Sequence, residues 1–344
     1  MKISRAFLAL TVAALALGSC GSPVTPPAET VIEAALTLPA LSGTENFRVL
    51  VAGTDIGGMR VDHTSGKTVI DYEYRNNGRG PTIKETIEFG ANGLPKTWQI
   101  DGAATFGNKI SESFSLENGV AAWTDATGSG SADVAANTLY IAQDSSPYAL
   151  WLYARALLAD ADNSMPVLPG GTVTLEKVED LKVAGPDGEE TVTSYALSGI
   201  DLNPTYILTD AGGGYVGVIT PNFAILKEGF EGEDEALRAR AVEYSAKRFE
   251  AIQAQVAHNY DGPVRVQNVR VFDPKTKALT EPVSVVFSGN AIQSIDAADA
   301  QNDDETVIDG AGGTLVAGLY EMHGHLGQNS ALLNIAAGIT SVRD

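Results

Sequence analysis

The segment that decides the fold reads GLYEMHGHLG at residues 318–327. His323 and His325 lie two residues apart, so on a strand both imidazoles point to the same face. Neutral imidazole is the commonest transition-metal ligand, and such a pair can form one edge of a metal site. Surface histidine pairs that bind no metal are also common, so the interpretation depends on the flanking sequence.

The residues after the histidine pair predict a strand–helix–strand unit. Residues 330–337 have a helical pattern that Gly338 ends, and residues 339–344 have the pattern of a further strand. Two strands joined by a helix pair in parallel. Functional side chains in parallel barrels lie at the carboxyl ends of the strands, which is where the two histidines fall.

Three stretches carry a family resemblance. They read IDGAGGTLVAGL at 308–319, MHGHL at 322–326 and GITSVRD at 338–344. Together with the short strands predicted from residue 264 onward, they resemble the start of the amidohydrolase superfamily barrel. Within that superfamily, the stretches resemble the imidazolonepropionase-like and Xaa-Pro dipeptidase-like enzymes. The resemblance covers residues 264–344, about the last quarter of the chain.

The resemblance implies a small β-sandwich at residues 261–317 and the first βαβ unit of a (β/α)8 barrel at residues 318–344. It implies one or two divalent metals, usually zinc, with His323 and His325 as the first two ligands. Metal-bound water would then attack an amide, peptide or cyclic amide carbon. Glu321 stands where the family often has aspartate, and it would orient a ligand histidine by hydrogen bonding.

The catalytic residues of the family come from later strands, so none is assigned in this sequence. The segment 318–344 is far shorter than the barrel's usual length of about 250 residues. Two strands cannot close a barrel, and their open edges would leave backbone groups unpaired. We therefore expect an inactive fragment of a longer reading frame, truncated after the second barrel strand.

The N-terminus predicts a lipoprotein signal peptide at residues 1–19. Lys2 and Arg5 precede an apolar run at 6–17 that is too short to span a bilayer comfortably. The sequence LGSC at 17–20 resembles a bacterial lipobox, with Cys20 as the lipidation site; an ordinary signal peptide is the alternative. Residues 20–35 read as a proline-containing tether. These features predict a lipid-anchored protein of the bacterial cell envelope, facing the periplasm from the outer membrane.

Residues 36–230 predict an antiparallel β-rich accessory domain. Alternating apolar and polar residues at 68–74 and 82–89 favour strands, and Asn-Gly pairs between such runs favour hairpins. One helix is predicted at 146–158, and a connecting helix within 231–260. The predicted fold class is therefore α+β, followed by the amidohydrolase β-domain and an incomplete barrel. Five aromatic residues fit either a ligand groove or core packing, and core packing is favoured: Trp98, Trp123, Trp151, Tyr148 and Tyr153.

The chain has 344 residues and a formal net charge of −20, which disfavours nucleic acid as a partner. Two functions stay open from the sequence. The first is a metal-dependent hydrolase that acts on a small-molecule or dipeptide substrate. The second is a non-catalytic envelope lipoprotein that binds an apolar ligand through its β-domain.

Overall fold

The structure, a computed structural model, describes residues 36–64, 66–135, 137–327 and 329–344. The predicted signal peptide, Cys20 and the tether lie outside the described residues. Within the described ranges, no helix is long and apolar enough to cross a membrane.

Fifteen of the strands form one sheet. The first eight form a continuous meander: β1 Gly43–Val51, β2 Thr54–Thr64, β3 Lys67–Tyr74, β4 Thr82–Phe89, β5 Pro95–Ala103, β6 Lys109–Glu117, β7 Val120–Asp125 and β8 Gly128–Asp133. The short β9 Leu139–Tyr140 leads to helix α1 Tyr148–Leu158.

The second half of the sheet follows α1. It comprises β10 Ser164–Leu168, β11 Thr172–Gly185, β12 Gly188–Ser198, β13 Thr205–Thr209, β14 Tyr215–Ile219 and β15 Phe223–Lys227. The strand order is β8-β7-β6-β5-β4-β3-β2-β1-β15-β14-β13-β12-β11-β10-β9. Neighbours are antiparallel except β9 and β10, which pair in parallel. The first and last strands therefore meet at the centre, with Phe47 opposite Lys227.

One face of this sheet packs around α1. Inward positions alternate along each strand, as in β3, where Thr68, Ile70 and Tyr72 are buried. Eight of the eleven residues of α1 are buried, from Tyr148 to Leu157. A helix that is apolar on every side needs cover on every side. The two halves of the sheet provide that cover, since residues of both belong to the core around α1.

A second core lies on the other face of β11–β15. Helix α2 Asp234–Val256, preceded by a 3-10 turn at Glu231–Glu233, places Leu237, Ala241 and Tyr244 there. Strand β14 is consequently buried at all five positions. The C-terminal half of α2 has no buried residue, and Val256 is 57% exposed.

A smaller sheet follows α2. It contains β16 Val264–Asp273, β17 Ala278–Leu279, β18 Val283–Ser288 and β19 Ala291–Ala297 in the order β17-β16-β18-β19, while β20 Thr306–Asp309 and β21 Thr314–Leu315 pair in parallel with β16. Arg265 is buried in this sheet and donates to the carboxylates of Glu305 and Asp296.

The last elements are β22 Leu319–Glu321, α3 Ser330–Ala336 and β23 Ile339–Val342. β22 and β23 pair in parallel and form a separate two-stranded sheet. The predicted α+β class with an incomplete (β/α)8 barrel is wrong. The described chain is mostly β-strand and is dominated by the fifteen-stranded sheet. β22 and β23 have only three and four residues, which is too little backbone pairing and too little buried side-chain surface to form the wall of a barrel.

Candidate functional site

The two predicted metal ligands directly follow the carboxyl end of β22. The imidazole centroids of His323 and His325 are 5.1 Å apart, with the rings inclined at 78°. Both residues are exposed. The Nδ1 atom of His325 lies 3.4 Å from Oδ1 of Asp344, the residue two positions after β23. Parallel pairing of β22 and β23 explains this proximity, because their carboxyl ends lie at one edge of the sheet.

Glu321 contacts the same turn through the backbone. Its Oε1 atom accepts a hydrogen bond of 2.9 Å from the amide of His323. The carboxylate therefore fixes the chain at His323, and its predicted action on an imidazole stays a prediction. Asp344 was not assigned a role from the sequence, although the predicted parallel pairing of the two strands was a signal for its position.

These residues fit a divalent metal in kind but not in number. Zinc sites use three or four protein ligands of the imidazole, thiolate or carboxylate type. Among the described residues, no group of three or more such side chains is placed to hold one ion. His323 and His325 could supply at most two ligands, which is half of a tetrahedral site.

A buried polar cluster joins the centre of the large sheet to α1. It consists of Glu45 on β1, His63 on β2, Thr68 on β3, Tyr148 on α1 and Lys227 on β15. The Tyr148 hydroxyl donates to Glu45 Oε2 at 3.0 Å, and Lys227 Nζ donates to Glu45 Oε1 at 2.8 Å. His63 Nε2 lies 2.9 Å from the Tyr148 oxygen, and His63 Nδ1 lies 2.7 Å from Thr68 Oγ1.

The hydrogen bonds of this cluster determine a consistent proton arrangement. Because the Tyr148 hydroxyl donates to Glu45, its oxygen accepts from His63 Nε2–H, and His63 Nδ1 accepts from the Thr68 hydroxyl. Burial alone raises the pKa of Glu45. The nearby His63 imidazole, whose Nε2 lies 3.5 Å from Glu45 Oε2, together with the hydrogen bonds from Lys227 and Tyr148 and the charge of Lys227, brings the pKa to about 2. Each polar group already has a partner, so the cluster ties four strands to the helix.

Two further carboxylates are buried beside the segment that leads into α1. Glu85 on β4 accepts from Trp98 Nε1 at 2.8 Å and from the amide of Ser146. Glu112 on β6 accepts from the Tyr140 hydroxyl at 2.6 Å and from the amides of Gln143 and Asp144, at 3.0 Å and 2.8 Å.

Glu85 differs from a surface acid in its electrostatics. Burial raises the pKa of Glu85 to about 7, against the hydrogen bonds from Ser146 and Trp98, and the nearby Glu112 raises it further. Strongly perturbed carboxyl groups are candidates for functional sites, but they also occur in purely structural networks. Here the donors are backbone amides and core side chains, which indicates that the pair anchors residues 143–146 above the sheet.

Sequence reasoning missed these buried polar groups. His63 has polar neighbours in the sequence, yet it is only 7% exposed. The signal was present in the alternation, since Glu85 lies between Ile83 and Ile87, and Glu112 between Ile110 and Phe114. The aromatic prediction is confirmed for Trp98, Trp151, Tyr148 and Tyr153, which are core residues, while Trp123 packs partly buried against that core.

Comparisons with known proteins add little to this geometry. No protein family and no curated protein matches the chain. A solved structure with partial similarity is the crystal structure of a DUF1089 family protein from Pseudomonas aeruginosa. It has 13% sequence identity, covers 53% of this chain and 92% of that chain, and has a TM-score of 0.25. At this TM-score the similarity carries no argument about fold or function.

Proposed function

We propose that this chain carries one edge of the metal site of a metal-dependent hydrolase that cleaves carbon–nitrogen bonds. The observation that carries the proposal is the pair of imidazoles after β22, in a parallel strand–helix–strand unit. Ligands of open α/β sheets bind outside the carboxyl ends of the strands. The substrate in this proposal is a dipeptide or a small cyclic or linear amide, and the metal is zinc.

The electrostatics of this edge suit a cation. His323 and His325 offer imidazole nitrogens, and each has a carboxylate beside it. Glu321 Oε1 accepts from the His323 amide, and Asp344 Oδ1 lies 3.4 Å from His325 Nδ1. A carboxylate beside a ligand histidine orients the ring and makes its nitrogen a better donor. Bound metal would lower the pKa of a water molecule and polarise the scissile carbonyl.

The envelope location is a second part of the proposal. In it, Cys20 is the lipidated first residue of the mature protein, and the tether 20–35 holds the folded part near the membrane surface. A test is metabolic labelling with a clickable fatty acid in a bacterial host. We expect label on the wild-type chain and none on Cys20→Ser; equal labelling of both would contradict the assignment.

Zinc binding tests the metal site directly. The full chain is titrated with Zn²⁺ in competition with a chromophoric chelator. We expect weak binding of one ion per chain, reduced at least tenfold in His323→Ala and in His325→Ala, because each variant removes one of two nitrogen donors. The matched control is His258→Ala, since His258 is exposed and lies outside this unit.

An affinity that is unchanged in the double variant His323→Ala/His325→Ala would contradict the metal site. Hydrolysis is measured separately, as amine release from dipeptides and cyclic amides by the full-length product of the gene. Loss of turnover in His323→Ala with the fold retained supports the hydrolase. A metal-loaded wild-type protein without turnover on any of these amides would refute the carbon–nitrogen specificity.

A further inference from the structure

A cleft of about 260 Å³ opens at one end of the large sheet, where β1 and β3 end and β2 and β15 begin. This end is opposite the one that holds Glu45 and His63. Apolar side chains form most of its wall: Val49, Val51, Ile56, Tyr72, Tyr74 and Phe223. The amides of Asn76 and Asn222 complete the wall at the surface. The cleft thus joins solvent to the core around α1.

Tyr72 is the informative residue of this cleft. Its side chain lies in the core, and the residue is 6% exposed. Burial raises the pKa of the Tyr72 hydroxyl above the usual range, so the group is neutral and protonated at physiological pH. Within the described residues, the hydroxyl makes no hydrogen bond, and the same is true of the buried Tyr206. The hydroxyls of the five other buried tyrosines each make at least one: Tyr140, Tyr148, Tyr153, Tyr215 and Tyr244. The Tyr72 oxygen is not one of the fully buried polar atoms without a partner, so it keeps contact with solvent. It is therefore open to a ligand that enters the cleft.

The charge of the cleft restricts the ligand class. None of the eight wall residues carries a charge at neutral pH, because they are valine, isoleucine, tyrosine, phenylalanine and asparagine. The nearby guanidinium of Arg75 already donates to three carbonyl oxygens and to the hydroxyl of Thr82. An anionic head group would therefore enter without a counter-ion, in a protein of net charge −20. Burying an unpaired charge is costly, so a neutral ligand is favoured.

We propose that this cleft binds a small neutral amphiphile, with its apolar body among Val49, Ile56 and Phe223 and its hydroxyl or carbonyl hydrogen-bonded to Tyr72. The volume is slightly below the usual range of about 300–1,000 Å³ for ligand pockets, so the ligand is small. Asn76 and Asn222 offer amide groups where the ligand's polar end meets solvent. The inference is independent of His323 and His325, and it gives an apolar-ligand function of the β-domain a definite site.

The test compares two probes of equal chain length, 1-octanol and octanoate, by ligand-detected NMR on the full chain. We expect saturable 1:1 binding of 1-octanol and at least tenfold weaker binding of octanoate, because the cleft has no free cation among its described wall residues. Tyr72→Phe removes only the hydroxyl and is expected to weaken 1-octanol binding about fivefold, the effect of one neutral hydrogen bond. Tyr260→Phe, at an exposed tyrosine after α2, is the matched control and is expected to change nothing.

Location is tested by filling the cleft. Val51 is half-buried in its wall, so Val51→Trp is expected to abolish 1-octanol binding. Ile295→Ser alters a separate apolar groove on the small sheet, lined in part by Val285, Phe287 and Ile295, and should leave binding intact. If Val51→Trp unfolds, nuclear Overhauser contacts from 1-octanol to the methyl groups of Val49 decide the location in the wild type. Equal binding of octanoate, unchanged binding in Tyr72→Phe, or binding lost only in Ile295→Ser would overturn the proposal.

Discussion

Glu85→Gln is expected to remove a pH dependence from the stability of the large sheet. Burial raises the pKa of Glu85 from 4.5 to about 7. Between these values the native state holds a proton that the unfolded chain releases, so the free energy of unfolding falls as pH rises through this window. The shift corresponds to about 3 kcal/mol, at 1.36 kcal/mol per pKa unit. Below pH 4.5 the contribution is fully present, and above pH 7 it is lost.

The assay is urea unfolding between about pH 4.5 and 8, followed by tryptophan fluorescence. All three tryptophans of the chain, Trp98, Trp123 and Trp151, belong to the large sheet or to α1, so the signal reports that unit. We expect the wild-type free energy of unfolding to fall by about 3 kcal/mol more than that of Glu85→Gln across the window. The carboxamide of this variant has one oxygen in place of two and cannot accept from both Trp98 and Ser146 in the same way. This lowers the free energy of unfolding of the variant by an amount that does not vary with pH.

The control is Glu88→Gln, which changes an exposed carboxylate on the same strand. It should keep the wild-type pH dependence, because its side chain is already in water. If Glu85→Gln and the wild type show parallel pH profiles, the reasoning from burial is refuted.

Three further predictions concern the same unit. The pKa of Glu45 is lowered to about 2, so its contribution to the free energy of unfolding is present above pH 4.5 and is lost as pH falls toward 2. Lys227→Met removes one cause of this shift, so acid unfolding of the variant, followed by circular dichroism, should begin at a higher pH than that of the wild type. Leu157→Ala removes a fully buried side chain of α1 and should cost about 2–5 kcal/mol in urea unfolding, while Leu158→Ala at a partly exposed neighbour should cost far less. A Cβ atom at Gly57 would lie 2.2 Å from the backbone oxygen of Glu73 on the next strand, so Gly57→Ala should lower the melting temperature. Gly53→Ala is the comparison, because Gly53 has a positive φ but a Cβ atom there would meet no other atom within 4 Å.

Local periodicity predicted much of the secondary structure. The alternating runs at 68–74 and 82–89 correspond to β3 and β4, and the helical patterns at 146–158 and within 231–260 correspond to α1 and α2. These patterns depend on neighbouring residues, which a sequence displays directly. Which strands lie side by side depends instead on long-range packing. The pairing of β1 with β15 and the burial of α1 within one large sheet were therefore not predicted.

The candidate sites also divide into one that a local sequence pattern predicted and others that depend on long-range packing. His323 and His325 were found because both lie in one short motif, and the structure places them together after β22. The Glu45 cluster draws its five residues from four strands and a helix that are far apart in sequence. The wrong barrel prediction has a related cause, because a parallel strand–helix–strand unit is a local pattern and does not fix how many further strands join it.

The central pairing of β1 with β15 bears on how the chain reaches its fold during synthesis. Phe47 and Lys227 are register partners although they belong to the first and last strands of the sheet. Each half of the sheet can form from adjacent hairpins as it leaves the ribosome, since those contacts are local. The join at the middle must wait until β15 has been made, and closing so long a loop carries the largest entropic cost in the fold. Until then β1 has an unpaired edge, which exposes the nascent domain to pairing with other chains at its centre rather than at its ends.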